Sequence, residues 1–416
     1  MADTTSPPYL GPEPARLRSI TAEVVSGTSY MVVGTLVAGI GAYLFQLVGG
    51  RVLGPTEFAP VTVLWTLQFL VYTIVLIPIE QITIRRLALG TPVATPWRLF
   101  AAVVVATAGG TVLFTAATLD RFFAEDRIYL VISGALMLGY GAYALARGYL
   151  AGQLRYREYG LSTLAESALR LAVAVLVLIA GAGAIGLGWS LVLAPLGVFL
   201  FRPFREVRSG AVARARGAGA FLGAFIVANA ASQTILAAGP LVVGALGAAQ
   251  AEVSVFFLTF LLFRAPLTLS YSLIARVLPP FTSFVARGEL SRIHTWAWRL
   301  GAAGLVLAVA GWAVGYLLGP GVVELLLGSE FRPTASLAAV AASGMTLATI
   351  SLYAQQILIA LGQAGRLAAA WIAGLTTAAA VLTLAAGSPS MRVGIGFLVG
   401  EAVAFVGLIG AVLGRR

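Results

Sequence analysis

The sequence is dominated by apolar runs that are long enough to cross a lipid bilayer. A helix needs about 20 consecutive apolar residues to span the hydrocarbon core, and such runs recur along all 416 residues. Hydrophobic residues make up 59% of the chain, charged residues make up 10%, and the mean hydropathy is +0.95. These features predict an all-α integral membrane protein and exclude a soluble globular domain.

Polar or glycine-rich breaks divide the runs into twelve predicted transmembrane helices. The predicted limits are 26–50, 60–84, 97–119, 129–150, 161–181, 184–201, 218–243, 253–278, 296–317, 335–361, 367–387 and 394–413. The first 25 residues are polar and rich in proline, and they lack the basic start and apolar core of a signal peptide. We therefore predict a disordered cytoplasmic tail over residues 1–25.

Arginine supplies all 27 basic residues of the chain. With the N-terminus inside, 20 of them fall in cytoplasmic segments and 5 on the opposite side, while Arg170 and Arg264 lie within predicted spans. Because basic residues collect on the cytoplasmic side, both termini are predicted to be cytoplasmic in a multi-pass cell-membrane protein. Basic loops facing anionic lipids also explain the net charge of +11 without a nucleic-acid partner.

The longest basic connection, RPFREVRSGAVARARG, occupies residues 202–217. It separates a predicted N-terminal six-helix lobe, 26–201, from a predicted C-terminal six-helix lobe, 218–416. The stretches YALARGYLAGQ (143–153) and YAQQILIALGQ (353–363) share Tyr, Ala, Gly and Gln at a constant offset of 210. Together with the similar turns LGPTEF and LGAAQAE, this match predicts a parallel internal repeat.

The residue inventory argues against several classes of protein. Cysteine is absent and His294 is the single histidine, which excludes disulfides, thiol nucleophiles and metal centres that need two histidines. No glycine motif is followed by Lys and Ser or Thr, so ATP hydrolysis is not expected. His294 stands beside Trp296 and Trp298, a pattern that fits an interfacial aromatic belt. We expect neither a cofactor nor an enzymatic activity.

Three stretches carry a resemblance to a known family. RVLGPTEFAPVTVL, ARGYLAGQLRYREYGLSTLAESALRL and LLGSEFRPTASL resemble the polysaccharide-exporter branch of the superfamily of multidrug, oligosaccharidyl-lipid and polysaccharide exporters. The resemblance covers nearly the whole chain after the tail. It implies two six-helix lobes around a central V-shaped cavity, and translocation of isoprenoid-pyrophosphate-linked glycans by alternating access.

Two departures separate the chain from other branches of that superfamily. Cation-coupled drug exporters often carry a carboxylate in the first span, whereas residues 26–50 contain none. Lipid II flippases typically have two further C-terminal spans beyond the twelve predicted here. Both differences favour the glycan-lipid branch.

Charged residues inside the predicted spans are the first candidates for a substrate site, because such residues usually face a bundle interior or a watery cavity. Glu166 and Arg170 are four residues apart and are predicted to pair on one helix face, either lining a cavity or as a structural pair near the cytoplasmic interface. Arg264 lies in the middle of the eighth span, where its planar fork suits a pyrophosphate. Pro266 is predicted to bend that helix, and the alternative partner for Arg264 is Glu401.

Other polar residues complete the predicted site. Arg147 is either a second anion ligand or a positive-inside anchor, and Glu80 either lines the cavity or pairs with Arg85 or Arg86. Tyr271 follows Arg264 by seven residues, about two turns along the same helix face. The amides either bind sugar hydroxyls or join helices; they are Asn229, Gln233, Gln355 and Gln356.

Three functions are compatible with the sequence. The first is a flippase for lipid-linked oligosaccharide or polysaccharide precursors, with membrane lipids and glycosyltransferases or a polymerase as partners. The second is a cation-coupled exporter of amphipathic drugs, for which a cavity dominated by carboxylates is expected. The third is a membrane-embedded glycosyl- or acyltransferase, for which the sequence supplies no suitable acid–base pair.

The arginine distribution generates a prediction about topology. Cysteine introduced at Ala124 is expected to react with an impermeant reagent applied outside, whereas cysteine at Ala213 is expected to react only after permeabilisation. The chain has no native cysteine, so labelling of intact cells reports the introduced site alone. The reverse labelling pattern contradicts the predicted orientation.

Overall fold

A computed structural model describes residues 13–88, 97–205 and 218–414, and every regular element in this part of the chain is helical. The α-helices are α1 (Glu13–Val71), α2 (Ile77–Ala88), α3 (Trp97–Ala117), α4 (Leu119–Phe122), α5 (Ile128–Gly152), α6 (Tyr156–Ile179), α7 (Gly183–Leu193), α8 (Ala218–Ala237), α9 (Gly239–Ala245), α10 (Gln250–Phe263), α11 (Ala265–Ala286), α12 (Leu290–Leu327), α13 (Ala335–Ala360), α14 (Ala364–Leu384) and α15 (Pro389–Leu413). A π-helical segment, Tyr72–Leu76, joins α1 to α2. A 3₁₀ segment, Ala194–Phe201, follows α7.

The helices confirm a multi-pass membrane protein. Nine helical segments of the described chain are long and apolar enough to cross a bilayer, and two bent pairs raise the number to eleven. The first of the nine, Leu36–Ile84, contains a break at Gly54 and covers two of the predicted spans. Counting Leu36–Ile84 as two spans raises the eleven to twelve, which agrees with the predicted number.

The chain reverses direction at Gly54 within the segment α1. Its backbone has φ 74° and ψ 169°, a conformation that only glycine adopts readily. The rings of Phe45 and Trp65, on either side of this break, stack with centroids 5.6 Å apart. In a straight helix these residues would be separated by about 30 Å. The predicted turn LGPTEF thus closes a hairpin between the first two spans.

The start of α1 corrects the prediction for the N-terminal tail. The helix begins at Glu13, ahead of residue 26, where the first span was predicted to start. Residues 13–25 are rich in strong helix formers, and a proline at position 14 is tolerated in a first helical turn. Residues 1–12 and most of the predicted linker, 206–217, lie outside the described residues.

Hydrogen bonds join the N-terminal helices, α1 to α7, to the C-terminal helices, α8 to α15, at one end of the molecule. The Arg51 guanidinium donates to the carbonyls of Leu325 and Leu326 at 3.2 and 3.1 Å. The Arg121 guanidinium donates to the Ala245 carbonyl at 3.0 Å, and Gln250 Nε2 donates to the Arg121 carbonyl at 3.3 Å. This end carries the connection between α3 and α5 and the connection between α9 and α10.

The opposite end includes an exposed charged turn between α11 and α12. Arg287 Nε donates to Glu289 at 2.6 Å; this hydrogen bond, with the charges of Arg287 and Arg292, holds the pKa of Glu289 below its usual value. His294, predicted to lie in this connection, belongs to the first turns of α12. Trp298, 67% exposed on the same helix, agrees with the interfacial belt.

The hairpin at Gly54 generates a prediction about stability. Gly54→Ala is expected to cost about 1–3 kcal/mol, because alanine is strained at this φ and ψ. Gly110→Ala is the matched control, since Gly110 is helical and an added methyl group meets no atom of the described residues within 4 Å. Thermal unfolding of the purified variants compares the two. Equal midpoints for both variants would show that the turn does not depend on glycine.

Candidate functional site

The predicted pair in α6 is present and buried. Arg170 Nη1 lies 2.6 Å from Glu166 Oε1, and the two side chains are 6% and 8% exposed. The Tyr140 hydroxyl of α5 donates to the same carboxylate oxygen at 2.6 Å. The Arg170 guanidinium also lies over the ring of Trp65, 4.8 Å from its centroid. The pair therefore connects α5, α6 and the second half of the hairpin.

Glu80 pairs with a residue of another helix. Its carboxylate lies 3.3 Å from Arg147 Nε of α5, and the side chains of its predicted partners, Arg85 and Arg86, lie outside the described residues. The hydroxyl of Tyr159 donates to Glu80 at 2.7 Å. The reason is that α2 packs along α5, which brings two buried opposite charges together across 67 residues of chain.

Aromatic rings join these two ion pairs into one buried network. The ring of Tyr72 lies 5.6 Å from that of Tyr140 and 6.1 Å from that of Tyr143, between centroids. The Tyr72 hydroxyl donates to Glu80, and Arg147 donates to Tyr143. Arg147 and the Glu166–Arg170 pair are thus neutralised inside the N-terminal group of helices.

Arg264 lies at a break between two helices. The axes of α10 and of the first part of α11, Ala265–Tyr271, differ by 50° across it, which confirms the bend predicted from Pro266. Proline has no backbone N–H and interrupts helical hydrogen bonding. The hydroxyl of Tyr43 in α1 donates to the Leu261 carbonyl at 3.1 Å, so the N-terminal group supplies a donor at the break.

The Arg264 guanidinium contacts an aromatic ring of the other lobe. It lies 4.5 Å from the ring centroid of Phe69, a favourable cation–π geometry. Six ion pairs are formed among the described residues and none includes Arg264 or Glu401. The alternative partnership with Glu401 is therefore not formed in this structure, and Arg264 is a charge without an acidic partner in the part of the chain that is described.

A cavity of about 240 Å³ lies at the lobe interface, and Arg264 is part of its lining. Its lining includes Trp65 and Phe69 from the first lobe and Phe256, Phe260 and Phe397 from the second. Among the described residues, Arg264 is the single charged residue that lines it. The cavity is therefore apolar and aromatic, with one fixed positive charge.

The other predicted ligands lie outside this lining. Gln356 is buried and donates to the Leu352 carbonyl of its own helix at 3.1 Å. The Tyr271 hydroxyl accepts a hydrogen bond from Gln233 at 3.4 Å. Asn229 donates to the Thr73 carbonyl at 3.2 Å. In this structure Asn229 and Gln233 join different helices, the alternative to sugar binding that the sequence left open, whereas Gln356 bonds within its own helix.

The bond from Asn229 crosses between the lobes at a specific backbone defect. In the π-helical segment the Ile77 N–H donates to the Tyr72 carbonyl five residues earlier. The next carbonyl, that of Thr73, would accept from residue 78, which is proline and has no N–H. The side chain of Asn229 donates to that carbonyl instead. A polar group that the first lobe leaves unpaired is thus satisfied by the second.

Sequence reasoning did not identify Trp65, Phe69 or Tyr43. The first two lie four residues apart and hence on one helical face, a signal that is common to ordinary core positions.

Among the described residues there is no group of three or more His, Asp or Glu side chains able to hold a metal ion. The structure thus offers an anion-attracting group in an apolar cavity, at a place where two sets of helices meet.

Solved structures with this architecture were found by comparison of the folds. An inward-facing multidrug resistance MATE family transporter of the MOP superfamily matches with a TM-score of 0.58 and 15% identity over 94% of this chain and 96% of that one. A mutant of the Vibrio cholerae MATE transporter VcmN matches with a TM-score of 0.50 and 14% identity over 96% and 99%. The chain has the MATE fold.

That fold comprises the two helical lobes that the sequence predicted. An outward-facing MATE family transporter of the same superfamily matches with a TM-score of 0.52 and 14% identity, over 94% of this chain and 97% of that one. No family model matches the sequence, and no curated protein matches it.

The buried pair in α6 generates a prediction about stability. Arg170→Met is expected to cost about 3–5 kcal/mol, because it leaves the Glu166 carboxylate buried without its cation. The double variant Glu166→Gln with Arg170→Met is expected to recover much of that loss, since no charge remains. Thermal unfolding of the single and double variants measures the difference. Additive losses in the double variant would contradict a coupled pair.

Proposed function

We propose that this chain is a membrane transporter that translocates isoprenoid-pyrophosphate-linked oligosaccharide or polysaccharide precursors across the cell membrane. The cavity between the lobes receives the pyrophosphate, and the isoprenoid stays near the lipid. The observation that carries the proposal is Arg264, a cation without an acidic partner among the described residues, which lines an aromatic cavity. A central arginine costs about 2.5–3.5 kcal/mol on insertion scales, and an anionic substrate offsets that cost when it binds.

The contacts of Arg264 suggest how it would act. A guanidinium binds a pyrophosphate through two parallel charge-assisted hydrogen bonds, which are stronger than its contact with Phe69. Ligand sites commonly enclose about 300–1,000 Å³, more than the 240 Å³ seen here. The lobes must therefore part to admit a glycan-bearing substrate, and parting releases Arg264 from the opposite lobe. Substrate binding and lobe opening thereby favour one another.

The second candidate is export of amphipathic drugs. The aromatic lining favours it, because rings such as Trp65 and Phe256 accept many apolar molecules. The charge of the site argues against organic cations, since no acidic side chain of the described chain lines the cavity. Glu80 and Glu166, buried acids of the N-terminal lobe, are both held in ion pairs. A drug substrate of this cavity would therefore be neutral or anionic.

Partners follow from the proposed substrate. Its precursor must be assembled by glycosyltransferases on the cytoplasmic face, and its product must be used by a polymerase or transferase on the other face. The membrane itself is a partner, because the isoprenoid chain remains dissolved in it. Genes of this kind adjacent to the gene for this chain would support the proposal.

Substitution of Arg264 tests the proposal. Arg264→Ala is expected to reduce translocation at least tenfold, because the single charge of the described cavity lining is lost. Arg264→Lys is expected to restore part of the activity, since lysine keeps the charge and loses the bidentate fork. The measurement is accumulation of lipid-linked glycan on the cytoplasmic face of cells, with the abundance of each variant determined in parallel.

Arg299→Ala is the matched control, because Arg299 is an exposed arginine that contacts Trp296 away from the cavity. It is expected to leave translocation unchanged. Normal translocation by an abundant Arg264→Ala variant would remove Arg264 from the substrate path. Lowered drug tolerance of the deletion strain, with normal glycan export, would favour the second candidate.

A further inference from the structure

Glu401 is a buried acid that the proposed site does not use. It lies on α15 and is 1% exposed. Its Oε2 atom has no hydrogen-bond partner among the described residues. The helix that carries it is closely packed, since a methyl group added at Gly374 of α14 would lie 2.6 Å from the Gly400 carbonyl oxygen. An ionised carboxylate in such surroundings is costly without a cation or several donors, so the neutral acid is the stable form here.

The described parts of the helices packed against α15 supply no ion-pair partner for Glu401. Titratable groups on the helices packed against α15 are Glu252, Arg292, His294, Arg299, Tyr316, Glu324, Tyr353 and Arg366, with Arg392 on α15 itself. Arg366 donates to the Ala411 carbonyl and Arg392 to the Leu382 carbonyl. Ala411 and Arg392 lie about 15 and 13 Å along α15 from Glu401, by helical rise.

Register places one further cation at the depth of Glu401. The Glu252 carboxylate accepts from the Ser390 N–H at 3.0 Å, and the rings of Phe260 and Phe397 lie 5.2 Å apart. Both contacts join α10 to α15, so the two helices run side by side in the same direction. One turn beyond Phe260 is Arg264, and one turn beyond Phe397 is Glu401. Two opposite charges, neither of them in an ion pair within the described chain, therefore lie at the same depth of the same lobe.

We propose that Glu401 is a proton-binding site whose occupancy controls the contact of Arg264 with the opposite lobe. With the proton bound, Glu401 is neutral and the guanidinium lies over Phe69, as observed. When the proton leaves to water, the carboxylate attracts Arg264 across its own lobe and the contact with Phe69 is lost. The lobe interface thereby becomes sensitive to pH, whatever substrate the cavity takes.

A proton fits this site better than a metal ion. Sodium or calcium requires several oxygen ligands, and no group of three acidic or histidine side chains is present among the described residues. A lone carboxyl group needs only one proton to become neutral. Glu401 lies one turn from Phe397 and is not part of the cavity lining, so the acid is out of direct contact with a substrate held in that cavity.

Spin-label distances between the lobes test the proposal without any substrate. The chain lacks cysteine, and Leu154 and Ala286 are exposed at the same end of the two lobes, so cysteines at these positions carry the labels. The distance distribution of the labelled parent protein is expected to shift as the pH rises from mildly acidic to mildly alkaline. Glu401→Gln cannot ionise and is expected to keep the acidic distribution throughout.

Glu324→Gln is the matched control, because Glu324 is a carboxylate of the same lobe that is paired with Arg332 at 2.7 Å. It is expected to retain the pH-dependent shift. A shift that persists in Glu401→Gln, or no shift in the parent protein, overturns the proposal. A shift that follows sodium concentration at fixed pH also overturns it, because the site would then bind a metal cation.

Infrared spectroscopy of the parent protein keeps the test decisive if Glu401→Gln fails to fold. The carbonyl stretch of a neutral carboxylic acid is expected at neutral pH and should disappear over the same pH interval as the distance shift. Absence of that band at neutral pH contradicts the proposal. Neither measurement depends on glycan translocation, so a negative result for Arg264 in the export assay leaves this inference separately testable.

Discussion

Charges inside an apolar helix bundle must be neutralised within the protein, and this constraint shapes the two lobes differently. In the described N-terminal lobe, Glu80 pairs with Arg147 and Glu166 pairs with Arg170. Removing one partner from such a pair is strongly destabilising, so these helices hold one another in place. In the described C-terminal lobe, Arg264 and Glu401 lie at one depth without forming an ion pair, and the contact that compensates Arg264 comes from the other lobe.

The predicted internal repeat relates this asymmetry to the sequence. The offset of 210 that aligns residues 143–153 with 353–363 places Ile357 opposite Arg147 and Ala380 opposite Arg170. The two arginines of the charged network in one lobe therefore have apolar counterparts in the other. Two bent helix pairs, by contrast, occur in the C-terminal lobe. One lobe is stiffened by charge, and the other contains the two sharply bent helix pairs, at which helices can reorient.

Local patterns in the sequence predicted the features that depend on a single helix. The length of the apolar runs predicted the spans, the spacing of Glu166 and Arg170 predicted their pair, and Pro266 predicted the bend at Arg264. Contacts between distant segments could not be predicted in this way. Glu80 contacts Arg147 because of how α2 packs on α5, and the contact between Phe69 and Arg264 depends on how two lobes dock. Hydropathy carries no information about either arrangement.

The Thr73 carbonyl has a consequence for solvent. In the π-helical pattern the donor to this carbonyl would be residue 78, which is proline and has no N–H, so its hydrogen bond comes from Asn229 across the lobe interface. When the lobes separate, that bond is broken, and an unsatisfied carbonyl in a hydrocarbon environment costs several kcal/mol. Water or a hydroxyl group of a bound substrate must replace the lost donor. Separation of the lobes at this level is therefore accompanied by hydration or substrate binding in the gap, and an empty, dry open conformation is destabilised.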